Sequence, residues 1–327
     1  MDPAQLKESV LSFRLDDGPR GNQGYSRVLL QLFGYMGNGK SSFINSCKYV
    51  LEDSDTYTPF AVAGEGSDGG ALTMERKSYE LTENITMVDN RGYNRINSLE
   101  RAEIYAQLGN FIPIGEKVEW MENYTDMMNR LQDAELNPNY SDFIVPILVH
   151  SAASVFSDSE RKEVQTFMKN CVQMTGVVPI VVITKKESGD FIELDKKFRL
   201  MGAEEIIAIE NYTEKDQIKT LRRTKDILTI LQKALDGVGY RLGQGRDAQT
   251  EWVERKTFLL EFIYNADLEK REQERIKEEV KKRDEERKRE QERRREQERG
   301  REQERGREQE RIKEEERKKN EGICSIM

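Results

Sequence analysis

The chain has 327 residues, of which 53 are Lys or Arg, 61 Asp or Glu and one His, giving a formal charge of −8 with 36% apolar and 35% charged residues. A globular chain runs nearer about 45–50% apolar and 25% charged, so the average conceals either a poor core or two unlike parts. No apolar run approaches the roughly 18 residues of a membrane-spanning helix, Met1 to Val10 lacks the basic and apolar regions of a secretory signal, and Cys47, Cys171 and Cys324 have neither disulfide nor zinc-site spacing, so a cytoplasmic protein is expected.

In chain order, residues 1–24 read as an N-terminal segment. A body over 25–236 then alternates strands and helices. Arg27 to Phe33 is a short apolar strand, followed by Gly-rich sequence and a helix pattern from Lys40 to about Leu51. Residues 52–72, with Gly64, Gly66, Gly69 and Gly70, read as a loop. Lys77–Leu81 and Ile85–Val88 are neighbouring strands. Residues 143–149 (FIVPILV) and 177–183 (VVPIVVI) are nearly continuous apolar runs, as suits strands buried on both faces of a parallel sheet. Each contains a Pro, which argues against fully regular pairing. Residues 205–209 (EIIAI) are a further strand, and helices fill 99–108, 117–133, 158–174, 191–200 and 221–236. Such alternation predicts an α/β fold with a doubly wound, mainly parallel sheet.

Residues 237–267 read as a Gly-rich hinge, with Gly237, Gly239, Gly243 and Gly245, and then an amphipathic helix carrying Trp252, Phe258, Leu259, Phe262 and Ile263. Residues 268–321 explain the excess charge: 22 of the 54 are basic and 20 acidic. The rest of the chain is ordinary in composition, with net charge −10, too acidic for bulk nucleic-acid binding; no nucleic acid is expected as a partner. REQER occurs five times, four of them six residues apart, and Ile276, Val280 and Ile312 are the only aliphatic residues from 269 to 321. A coiled-coil seam needs an apolar residue every 3.5 positions, so the stretch reads as a solvated single helix, supported by oppositely charged neighbours, or as a charged spacer.

The chemistry concentrates in the body. Residues 34–41, Gly-Tyr-Met-Gly-Asn-Gly-Lys-Ser, fit G-x-x-x-x-G-K-[ST] between a strand and a helix. In that context backbone N–H groups surround phosphate oxygens at a helix N-terminus, Gly34, Gly37 and Gly39 permit the close approach, Asn38 and Ser42 flank it, Lys40 reaches the β- and γ-phosphates, and Ser41 ligands Mg²⁺. Asp89-Asn90-Arg91-Gly92 follows a strand directly and fits D-x-x-G: Asp89 would hold Mg²⁺ through water, and the Gly92 N–H would meet the γ-phosphate. Thr73, after the loop and before a strand, is the candidate for a mobile Thr reaching both metal and γ-phosphate, with Thr56 and Thr58 as alternatives. After the strand 177–183 stand Thr184, Lys185, Lys186 and Glu187, where a GTPase has [NT]-K-x-D. Glu187 keeps the carboxylate that accepts from guanine N1 and N2, with an extra methylene, and Lys185 would pack over the base. His150 has no second His with which to build a catalytic or metal site and is expected to be structural.

LFGYMGNGKSSFINS, VDNRGY, VVITKKE and GAEEIIAIENYT together make residues 25–235 resemble the interferon-induced protein 44 family, GTPase-like proteins related to dynamin-type, guanylate-binding and immunity-related GTPases. The resemblance implies a P-loop GTPase-like fold, GTP or GDP with Mg²⁺ as ligands, a role in interferon-linked innate defence, and Asn211 and Tyr212 in the fifth nucleotide loop near the base. Turnover is expected to be slow: the position after D-x-x-G that holds a water-orienting Gln in Ras-type enzymes is Tyr93, and the place of the arginine finger of the guanylate-binding relatives is Gly37. Arg91 is a candidate substitute. Stimulation by nucleotide-dependent self-association, as a homodimer or homo-oligomer, is what the resemblance implies. A scaffold with little hydrolysis and an ATP-preferring P-loop NTPase stay open as alternatives. Finally, residues 324–327, Cys-Ser-Ile-Met, fit C-a-a-X and predict farnesylation of Cys324, tethering the protein to a cytosolic membrane face.

Overall fold

The structure is a computed structural model that describes all residues except 53, 62–74, 94–97, 119–120, 122, 137–139, 156 and 325–327, and only the backbone at 98–99, 159 and 316–324. The chain divides into two compact units, residues 1–265 and 266–327.

The first unit is built on a six-stranded sheet. Its strands are β1 (Arg27–Phe33), β2 (Lys77–Glu80), β3 (Ile85–Asp89), β4 (Asp142–Ser151), β5 (Ile180–Thr184) and β6 (Ile206–Ala208). They lie in the order β2-β3-β1-β4-β5-β6, parallel throughout except for β2 against β3. At the centre Leu30 stands opposite Met87 on one side and Val145 on the other. Every residue of β3, β4 and β5 is buried, which is why these strands read as continuous apolar runs rather than alternating ones. Pro146 does not interrupt its strand: the β5 ladder begins one residue later, at Ile147 with Ile180. Pro179 likewise stands just before β5, where a missing N–H is tolerated.

Helices cover both faces. On one side α1 (Pro3–Ser12), α2 (Lys40–Leu51) and α7 (Leu221–Gly243) pack on Val28, Leu30, Leu32, Val145 and Val182. On the other lie α3 (Ser98–Leu108), α5 (Asp158–Thr175) and α6 (Phe191–Leu200), where Phe33 meets Phe167 and His150 meets Phe198. The N-terminal segment is helical because Asp2 and Gln5 cap each other's backbone N–H, at 2.9 and 3.1 Å, and Leu6 and Val10 are buried in the core.

Two expected boundaries move. The helix expected over 117–133 begins instead as α4 (Tyr124–Leu136), where the Asn123 side chain accepts the Asp126 N–H at 3.0 Å and sets the start. The hinge expected from 237 lies inside α7, which continues through Gly237, Gly239 and Gly243. Each Gly costs roughly 1 kcal/mol in a helix, but Leu235, Val238 and Leu242 keep the apolar face buried to its end. The break is confined to residues 244–247, where Gly245 takes φ +74° and Asp247 caps the next helix by accepting the Thr250 N–H at 2.9 Å. That helix, α8 (Ala248–Cys324), buries Trp252, Leu259 and Ile263 and sets Phe258 and Phe262 edge-on to Tyr105 of α3. In the second unit the charged stretch is helical through Gly300 and Gly306, with ion pairs such as Arg271–Asp267 and Arg294–Glu290 one turn apart at 2.7 and 2.8 Å. No helix among the described residues is long and apolar enough to cross a membrane.

His150 is buried on β4, and desolvation pushes its pKa down to about 4, with Glu160 opposing and Lys197 assisting. The unfolded chain therefore takes up a proton near pH 6.5 that the folded chain refuses. Stability is full above that pH and falls as pH drops from about 6.5 towards 4, by up to roughly 3 kcal/mol. His150→Gln should flatten that acid limb in denaturant titrations between pH 4.5 and 7; a slope equal to that of the wild type would contradict it.

Candidate functional site

β1 and β3 are neighbours, but their onward connections leave in opposite directions, β1 towards β2 and β3 across β1 to β4. A crevice opens at the carboxyl ends of such strands, and the loop after β1 fills it. Gly34 takes φ +149°, and a Cβ there would stand 2.2 Å from the Val149 carbonyl oxygen, so no other residue fits. Gly39 is left-handed, at φ +85°, and caps α2 without any side-chain hydrogen bond.

The result is a loop whose acceptors are bound and most of whose donors are not. Among the described residues, the backbone N–H groups of Gly37, Gly39, Lys40, Ser41 and Ser42 donate to nothing in the protein. The carbonyls are tied instead. Thr184 Oγ1 donates to the Asn38 oxygen at 2.7 Å, Asn211 Nδ2 to the Gly39 oxygen at 3.3 Å, and Lys40 Nζ to the Gly34 oxygen at 3.2 Å. The Asn38 side chain donates in turn to the Val149 carbonyl at 3.2 Å. A ring of N–H groups at a helix N-terminus is an anion site.

The charges around it match. Lys40 is buried, and desolvation lowers its pKa while Asp89 opposes the shift. Ser41 Oγ donates to Asp89 Oδ2 at 2.6 Å, bringing a hydroxyl and a carboxylate oxygen together at the edge of the loop. Hard oxygen donors of this kind suit Mg²⁺, which takes one or two protein groups and completes its shell with water and phosphate oxygens. No larger cluster of His, Cys, Asp or Glu gathers among the described residues. The segment after Asp89 closes over the loop: Tyr93 pairs with Tyr35, ring centroids 4.7 Å apart, and a Cβ on Gly92 would stand 2.9 Å from Lys40 Nζ.

Other expected residues are placed differently. Thr73 lies outside the described residues, and Thr56 and Thr58 are exposed. The Arg91 guanidinium donates to the Val118 carbonyl. Lys185 is left-handed at φ +52°, and both it and Glu187 are exposed beyond β5. Asn211 is bound through its amide to the loop after β1. Cys324 ends α8, and nothing of its side chain or of residues 325–327 is described.

Three contributors carry no motif. Ser46, one turn beyond Ser42 on α2, donates to Asn211 Oδ1 at 3.3 Å and accepts the Tyr212 N–H at 2.9 Å. Arg223 of α7 stacks 4.1 Å over the Tyr212 ring and donates to the Glu210 carbonyl at 2.8 Å. Arg76, just before β2, is fully buried and donates to Asn90 Oδ1 at 2.9 Å and Asn110 Oδ1 at 3.1 Å, bracing the residue after Asp89. Burial lowers its pKa to about 9, which leaves it charged at neutral pH. The i,i+4 spacing of Ser42 and Ser46 was visible in sequence; the other two act through tertiary contacts alone. A separate cavity of about 1030 Å³ lies by Arg27, Arg130 and Trp252, at the end of β1 opposite Gly34. Its arginines are already paired with Asp142 and Glu103.

No protein-family model matches the chain, and a search of curated proteins finds none significantly similar to it.

Gly34→Ala should destabilise the protein by about 3 kcal/mol, through both the carbonyl clash and the positive φ. Gly37, at φ +77° with nothing near its Cβ position, should cost only about 1–2 kcal/mol as Ala. Equal losses in chemical denaturation would contradict this reading of the loop.

Proposed function

We propose that the protein binds GTP and GDP with Mg²⁺ and turns GTP over slowly, with turnover raised by self-association. The observation that carries this reading is the set of five unpartnered N–H groups beside Lys40, with Ser41 and Asp89 at the edge of the same loop. The sheet order, with its crevice above β1 and β3, supports a P-loop GTPase-like fold.

In this reading the N–H groups of residues 37 and 39–42 take the phosphate oxygens and Lys40 adds a cation. Phosphoryl transfer in such sites is largely positioning and charge stabilisation. Ser41 and Asp89 would hold Mg²⁺, which when bound neutralises charge on the phosphates. Glu187 accepts hydrogen bonds from the guanine edge, with Lys185 beside the base. Neither Tyr93, buried against Tyr35, nor Arg91, bound to the Val118 carbonyl, is placed to orient water or to stabilise the transition state, which is why turnover is slow. The same two observations favour a second reading, a nucleotide-binding scaffold with almost no hydrolysis. The motif resemblance adds the remaining elements: interferon-linked innate defence and homodimerisation. The C-a-a-X sequence adds farnesylation of Cys324 and a tether to a cytosolic membrane face. One lipid anchors weakly, and oligomers would multiply it.

Calorimetric titration should show GTP binding well above ATP, with binding lost in a folded Lys40→Ala protein. An ATP preference would instead make the protein a different P-loop NTPase. Specific GTPase activity should rise with protein concentration; a flat series would reject self-activation, and no single turnover would leave the scaffold reading. Cys324→Ser should release the protein from membranes in cell fractionation; unchanged association would remove the lipid from the account.

A further inference from the structure

Beyond Thr184 the loops after β5 and β6 stay together through three successive rungs. The Ile209 N–H donates to the Ile183 carbonyl at 2.8 Å, and the Lys186 N–H to the Ile209 carbonyl at 3.3 Å. The third rung is different. The Glu187 N–H donates to Glu210 Oε1 at 2.7 Å, so a side-chain carboxylate replaces a main-chain acceptor.

The cause is local. The Glu210 carbonyl already accepts from Arg223 Nε at 2.8 Å. Lys185, left-handed at φ +52°, turns the chain into a 3-10 turn over Lys186–Ser188, closed by the Ser188 N–H on the Lys185 carbonyl at 2.9 Å. The first N–H groups of such a turn have no partner within it, and Glu210 caps one of them. The Glu210 main chain is itself held, because Arg223, which binds its carbonyl, is anchored on the Tyr212 ring and on Asp216 at 2.9 Å.

Glu187 is exposed, and its carboxylate makes no hydrogen bond or ion pair among the described residues. Ionised carboxylates only accept. The Glu187 carboxylate is therefore an acceptor-only group, which suits a purine whose edge donates, as guanine does through N1–H and N2–H. Adenine offers a donor only at N6, and the lone pair at N1 opposes a second carboxylate oxygen. The Glu side chain is one methylene longer than Asp and gains less from an imprecise backbone, so a rigid backbone at 187 matters more here.

We propose that Glu210 is a positioning residue for Glu187, and that this cap sets the preference of the site for guanine over adenine nucleotides. The inference rests on the nucleotide-binding reading above.

The test is calorimetric titration of the full chain with Mg-GTP, Mg-ATP and inorganic tripolyphosphate, which reports the phosphate contacts without a base. Glu210→Ala should lower GTP affinity about tenfold, the scale of one hydrogen bond to a charged group, and change the other two by less than about twofold. Glu210→Gln keeps an acceptor oxygen and should stay within about twofold of wild type for GTP. In a Glu187→Ala background, removing Glu210 should change GTP affinity no further. Equal losses for all three ligands would make Glu210 merely structural and overturn the proposal, as would an unchanged GTP-to-ATP ratio or a second tenfold loss in the Glu187→Ala background. Should Glu210→Ala fail to fold, Glu210→Gln with wild-type GTP affinity supports the cap and a tenfold loss overturns it. Wild-type protein that binds no nucleotide would overturn the functional reading itself; wild-type discrimination that survives in Glu210→Ala overturns this inference alone.

Discussion

A loop that is to keep its N–H groups free must have its carbonyls held from outside. Everything around residues 34–42 follows from that constraint. Thr184 reaches in from β5, Asn211 from the loop after β6, and Lys40 folds back on its own loop. Gly34 accepts the contact with the Val149 carbonyl that brings β1's exit against β4. An unmade hydrogen bond on a buried backbone group costs about 1–3 kcal/mol. The five N–H groups without acceptors among the described residues escape that cost where the loop is open to solvent, as at exposed Gly37 and half-buried Gly39, Ser41 and Ser42. The sheet supplies the frame, since parallel strands bring the ends of β1, β3, β4 and β5 to one edge.

Buried charge is the second constraint. Arg76 lies beneath the site, and a guanidinium with no partner would be very costly there. It is held by the Ile112 carbonyl and by two amides: Asn90, which also donates to Gln31 at 3.1 Å, and Asn110, which donates to Asp142 at 3.0 Å. Asp142 is in turn held by Arg27 at 2.7 Å. One continuous polar chain therefore runs along a face of the sheet from the start of β1 and β4 to the residue after Asp89. This chain couples the stability of the sheet to the geometry of the segment that closes over Lys40.

The parts of the site legible in sequence are those where chemistry fixes residue type and spacing together. Gly34, Lys40, Ser41, Asp89 and Thr184 are of this kind, and the parallel sheet followed from strands apolar on both faces. What periodicity could not show were contacts made by long side chains across the fold. Arg76, Arg223 and Ser46 look like ordinary polar residues until the sheet brings them to Asn90, Tyr212 and Asn211. The Gly-rich stretch after 236 misled for a related reason: local propensity favoured a break, and burial of Val238 and Leu242 outweighed it. Arg91 shows the converse. Its place beside Asp89 suggested the site, and nothing in the sequence marked its hydrogen bond to the Val118 carbonyl.

The most direct test of the central claim is amide hydrogen exchange at residues 37 and 39–42, with and without Mg-GTP. The account predicts fast exchange in the free protein and strong protection on binding, with smaller protection at 185–187 from the base. Slow exchange in the free protein, or unchanged exchange with saturating nucleotide, would contradict it.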